Sequence, residues 1–90
     1  MPVGATMTPS TYFGLLAEFG TAHVPVTELG KKYFGYSELV AKNKAALNKY
    51  PFPVFRVGTE KSTWVADIAD VANYIDKVKE KAKKEYLLAN

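Results

Sequence analysis

Two observations predict an α+β fold built as a winged helix-turn-helix, with a small antiparallel hairpin and a long C-terminal helix. The first is the order of elements from Val26 to Val65: a short helix, a break at Gly35, a second and basic helix, then a hairpin. The second is the placement of charge. Residues 31–61 hold seven basic side chains against Glu38 and Glu60, a local net of +5, whereas residues 1–30 carry only Glu18 and Glu28. Residues 62–90 balance five lysines against five acids. Positive charge gathered on one supersecondary unit is the electrostatic footprint of a duplex-binding surface.

Each element follows from local signals. Residues 1–7 read as a flexible leader, after which Thr8 serves as an N-cap with Pro9 at the first helical position. Tyr12, Leu15, Leu16 and Phe19 recur at helical spacing, and Gly20 ends that helix. His23–Val26 forms a short strand that Pro25 confines to a sheet edge. Thr27 caps a second helix, which runs to about Tyr33 and turns Leu29, Tyr33 and Phe34 inward. Ser37 and Glu38 start a third helix, through about Lys49. Counting turns assigns Leu39, Val40, Asn43, Ala46, Leu47 and Tyr50 to its buried side and Ser37, Ala41, Lys44, Ala45 and Asn48 to its outer side.

Pro51 and Pro53 stop that helix and force extension. Phe52, Val54, Phe55 and Val57 supply a strand, Gly58–Lys61 a turn, and Ser62–Val65 the returning strand, anchored by Trp64. Asp67 and Asp70 then mark the start of a last helix, where acids favour the positive end of the dipole. Its stripe is Ile68, Val71, Ile75, Val78, Ala82 and Tyr86.

Composition narrows the function classes. Ninety residues at 48% hydrophobic content form one domain, residues 1–90, with one modest core. The absence of cysteine removes disulfides and thiolate metal sites, and a single histidine, His23, leaves no zinc finger. No apolar run is long enough to span a bilayer and no signal peptide opens the chain, so a cytoplasmic protein without membrane contact is expected. Nothing in the chain offers a nucleophile motif, a metal set or a phosphate loop, so neither an enzyme nor a cofactor is expected.

The expected partner is double-stranded DNA. On the third helix, Ser37, Ala41, Lys44 and Asn48 are placed to reach base edges, while Lys42 and Lys49 reach phosphates. The second helix offers Thr27, Lys31 and Lys32 to the backbone, and the hairpin offers Arg56 and Lys61 as a wing. The bland alternative for each lysine is a solvated surface, and for Lys61 edge-strand protection. The five lysines between Lys77 and Lys84 are interspersed with Glu80 and read as a soluble face, whereas Tyr86, Leu87 and Leu88 suit docking onto the body or a second subunit.

Three short stretches, Lys32-Tyr33-Phe34-Gly35, Pro53-Val54-Phe55-Arg56-Val57 and Asp70-Val71-Ala72-Asn73-Tyr74-Ile75-Asp76, resemble the pyocin activator PrtN family. The spacing from strand to final helix is also similar to excisionase and MerR-type winged-helix domains. The resemblance covers residues 12–78 and implies a phage-derived transcriptional activator that binds DNA and has no catalytic residue. The helix after Gly35, with Ala41, Asn43, Ala45 and Asn48, matches no family signature, so a target sequence does not transfer. An excisionase that bends DNA and a phage-type protein-interaction module remain open as alternatives. So small a domain covers little DNA, so a homodimer or cooperative oligomer is expected, with RNA polymerase or a recombinase as a further partner.

Overall fold

The computed structural model describes residues 9–59 and 62–89. The expected leader, the Thr8 cap and the Glu60–Lys61 part of the turn lie outside the described residues. Among the described residues the chain forms four helices and one three-stranded antiparallel sheet, which bears out the α+β expectation. Helix α1 spans Pro9–Phe19 and strand β1 spans His23–Pro25. Helix α2 spans Val26–Leu29 and continues as a π-helical turn, Gly30–Phe34. Helix α3 is Glu38–Ala46, strands β2 and β3 are Phe55–Arg56 and Trp64–Asp67, and helix α4 is Ile68–Ala89.

Strand β3 lies in the middle of the sheet. Its Trp64 faces Arg56 and its Val65 faces Phe55 on one side, while Val65, Ala66 and Asp67 face Pro25, Val24 and His23 on the other. β1 is therefore an edge, where the missing N–H of Pro25 costs no ladder bond. The strand expected from Phe52 to Val57 is shorter in the structure, where only Phe55 and Arg56 pair with β3. Asp67 ends the sheet and caps α4, its Oδ1 accepting the Ala69 N–H at 2.8 Å.

The core gathers Leu15 of α1, Val24 of β1, Val26 and Leu29 of α2, Ala45 of α3, Ala66 of β3 and Ile68, Val71 and Ala72 of α4. An aromatic cluster seals one end. Phe34 has ring centroids of Tyr36, Tyr50, Phe52 and Tyr74 between 5.4 and 6.3 Å away. α1 is fastened to α4 by Thr11 Oγ1, which donates to Asp76 Oδ1 at 2.8 Å, and to the end of α2 by the Glu18–Lys32 ion pair.

Thr27 does not cap α2. The helix begins two residues earlier, with Pro25 in the cap position and no side-chain cap bond, because the strand runs directly into the helix. The three residues Gly35–Ser37 then turn the chain between α2 and α3, with Gly35 at φ 68°, a left-handed conformation that disfavours a side chain.

Candidate nucleic-acid interface

Helix α3 sits against α2 with the face opposite to the one that turn-counting selects. Ala41 and Ala45 are buried, whereas Leu39 is 68% and Leu47 65% exposed, and Val40, Asn43 and Ala46 are exposed with them. The cause is a close helix–helix approach. Gly30 is buried, and a Cβ built on it would lie 3.0 Å from the Ala41 Cβ. Only small residues fit such a seam, so the alanines turn inward and the leucines turn outward. Tyr50, the one large residue correctly assigned inward, reaches beneath the helix and donates its hydroxyl to the Ala41 carbonyl at 2.9 Å.

This rotation changes what each expected contact residue can do. Ala41 is fully buried and has no surface to offer a ligand. Lys44 is half-buried, with Nζ 5.8 Å from the Tyr36 ring centroid, so it points toward the body. Ser37 is the N-cap of α3, its hydroxyl accepting the Val40 N–H at 3.2 Å.

Asn48 lies beyond the helix. It has φ 55°, its N–H donates to the Ala45 carbonyl at 3.0 Å, and the Lys49 N–H donates to the Lys44 carbonyl at 2.9 Å. These two bonds form a Schellman C-cap, in which Asn is the commonest substitute for glycine. Lys32 is paired with Glu18 and lies 5.5 Å from the centroids of both Phe19 and Tyr33, on the α1 side of the molecule. Lys61 falls outside the described residues.

Other residues converge. A cleft of about 330 Å³ opens between the start of α2, the outer face of α3 and the β2–β3 pair. Thr27, Lys42, Asn43, Ala46, Arg56 and Trp64 line it. Lys42 is also within 3.1 Å of Glu38, one helical turn back. That exposed pair is weak enough to be exchanged for a stronger anion. Arg56 lies over the Trp64 ring, 4.6 Å from its centroid, on the neighbouring strand. Stacking of this kind fixes the guanidinium plane while leaving its N–H edges available. Lys31 and Lys49 are exposed, Lys31 beside a second hollow that includes Thr27, Tyr36 and Ser37.

Thus Thr27, Lys42 and Arg56 share one surface. Asn43 and Ala46 join them from the face assigned to the core. The signal that could have placed them is the glycine at Gly30, which calls for a small-residue partner such as Ala41 and so sets the rotation of α3. Among the described residues, no helix is long and apolar enough to cross a membrane.

No curated protein and no solved structure matches the chain. The model of one family, described as pyocin activator protein PrtN, matches residues 11–82, which include all four helices' packed portions and the whole sheet. That match spans most of the chain and contains the three stretches that carry the sequence resemblance, so the chain belongs to the pyocin activator PrtN family.

Proposed function

We propose that this protein binds double-stranded DNA sequence-specifically as a winged helix-turn-helix and activates transcription of phage-related or bacteriocin-type genes. The observation that carries the reading is the cleft that sets Lys42 and Asn43 of α3 beside Arg56 of the strand pair and Thr27 of α2. Two helices joined by a three-residue glycine turn, followed by an antiparallel strand pair, match the element order of that motif. Membership of the PrtN family supports the activating role.

In this reading α3 enters the major groove with its outer face, and Asn43 contacts a base edge while Lys42 neutralises a phosphate. Arg56, held by Trp64, grips the flanking backbone or minor groove. No bond is made or broken; the protein acts by occupancy in the cytoplasm. Leu39 and Leu47, exposed on the same face, favour a second reading in which α3 contacts another protein, such as RNA polymerase. An excisionase would share the binding surface and differ by bending its site.

The test is duplex binding measured across a salt series with the wild type and the Lys42→Ala/Arg56→Ala double variant. The wild type should lose affinity with a log–log slope of about −0.9 per neutralised phosphate, and the double variant should bind more weakly with a shallower slope. Affinity that ignores both salt and the substitutions would remove DNA binding from this surface and favour the protein-contact reading.

A further inference from the structure

The outer face of α3 is apolar at its centre. Leu39, Asn43 and Leu47 follow one another at every fourth residue and form a single ridge along the helix. Ala46 flanks the ridge on the cleft side and Val40 on the other, and all five side chains are exposed. Burial of Ala41 and Ala45, with Ala41 seated close to Gly30, fixes this rotation, so the ridge has no route into the core.

The ridge carries neither Arg nor Lys, the side chains that pair with O6 and N7 of guanine. Lys44 is turned toward Tyr36, and Lys42 stands at the helix edge within 3.1 Å of Glu38. Arg56, the single arginine of the chain, lies across the cleft over Trp64. What remains on the ridge is one amide between two branched apolar side chains. In a major groove these groups have matching partners on A·T pairs. An amide pairs with N6 and N7 of adenine, and an apolar side chain covers the C5 methyl of thymine.

On the duplex-binding reading proposed above, we infer that Leu39 and Leu47 select thymine by its methyl group, on either side of the base pair that Asn43 contacts. Successive ridge residues stand about 6 Å apart along the helix, at about 1.5 Å per residue. That separation is close to two base-pair steps of about 3.4 Å each. The selected methyls therefore lie about two base pairs to each side of the adenine, and the site is rich in A·T pairs.

Charge favours a duplex over an apolar protein surface as the occupant of the ridge. At the start of α3, Lys31 and Lys42 balance Glu28 and Glu38. Lys44 on the inner edge, Lys49 past the end of the helix and Arg56 across the cleft leave the surroundings net positive. Among the described residues, the cleft beside the ridge is lined by Lys42, Arg56 and hydroxyl groups, with no acidic side chain. An uncharged reading surface with cations at its rim has the layout of base edges flanked by phosphates.

The test takes the full chain and the duplex recovered by binding-site selection from a random pool. Each thymine of that duplex is replaced in turn by deoxyuridine, which removes the methyl and keeps the base pair. Wild-type affinity should fall about fourfold at each thymine under a leucine, the size expected for one buried carbon. Leu39→Ala should abolish the effect at one such position and Leu47→Ala at another, with melting curves by circular dichroism unchanged because both side chains are exposed. Salt-dependent duplex binding with no response to any deoxyuridine, a selected motif without thymine, or a methyl effect that persists in both variants would overturn the inference and leave DNA binding standing. A wild type that binds no duplex at low salt would instead remove the duplex-binding reading, and the inference with it.

Discussion

Gly30 and Ala41 form the contact on which the orientation of α3 depends, with a hypothetical Cβ on Gly30 only 3.0 Å from the Ala41 Cβ. A buried helical glycine costs about 1 kcal/mol in propensity relative to alanine, so the site retains it for space. Its other near neighbour is Tyr36, whose Cβ and Cδ2 would each lie 3.4 Å away. The seam thus fixes both the helix pair and the turn between them.

Gly30→Val should therefore destabilise the protein by about 1–3 kcal/mol, the usual range for an overpacked core. It should also weaken duplex binding beyond what the loss of folded protein explains, because α3 must shift to make room. Urea unfolding combined with binding measured on the folded fraction checks both. A variant of wild-type stability would mean that α3 is not held by this seam.

The ends of α3 make a second prediction. Ser37 bonds the Val40 N–H, and Asn48 holds the left-handed position of the C-cap. Ser37→Ala should cost about 0.5–2 kcal/mol. Asn48→Gly should preserve or raise the melting temperature, because glycine adopts φ 55° without the side-chain penalty, whereas Asn48→Val should lower it. Thermal unfolding of the three variants decides the matter. Equal melting temperatures for the glycine and valine variants would contradict the capping role.

Tyr50 links stability to alkaline pH. Burial first, and the neighbouring Tyr36 phenol second, push its hydroxyl above the ordinary value of 10.0. The neutral phenol is favoured by the fold, so its contribution is fully present below the unfolded value and is lost as pH rises through the higher folded one. Tyr50→Phe should cost about 0.5–1.5 kcal/mol at neutral pH through the lost bond to the Ala41 carbonyl. It should also flatten the fall in stability above about pH 10. Denaturant midpoints across that range measure both effects. An unchanged alkaline slope in the variant would assign the effect to another tyrosine.

Elements with strong local punctuation were legible in the chain. Gly20 and Gly35, the prolines around Phe52 and the acids at Asp67 and Asp70 mark boundaries that the structure places within a few residues. The pairing of β1 with β3 was not legible, because strand partners distant in sequence leave no local periodic signal. The face of α3 was misread for a physical reason. Apolar residues occur all round it, and the larger ones, Leu39 and Leu47, outweigh alanines when side chains are counted by hydrophobicity alone. Packing distance decided instead. Three of the eleven expected contact residues still share a surface after this rotation: Thr27 and Arg56 lie on elements that it does not move, and Lys42 stays exposed at the edge of α3.

The rotation also moves the expected base-reading role within α3. Asn48 sits in the C-cap after the helix, while Asn43 stands in mid-helix on the cleft, between Lys42 and the Arg56 side of the sheet. An asparagine amide offers a donor and an acceptor together, which pairs with the N6 and N7 edge of adenine. If α3 enters the groove, Asn43→Ala should relax preference at one base position, with a loss of about 1–3 kcal/mol against the preferred base and little change in non-specific affinity. Arg56→Ala should weaken all sequences more evenly, since in the proposed reading its guanidinium grips the flank of the site. Asn48→Gly should leave the selected motif as it is. Binding-site selection with the three single variants separates these roles. A motif unchanged by Asn43→Ala but rewritten by Arg56→Ala would place sequence reading in the strand pair and leave α3 to grip the backbone.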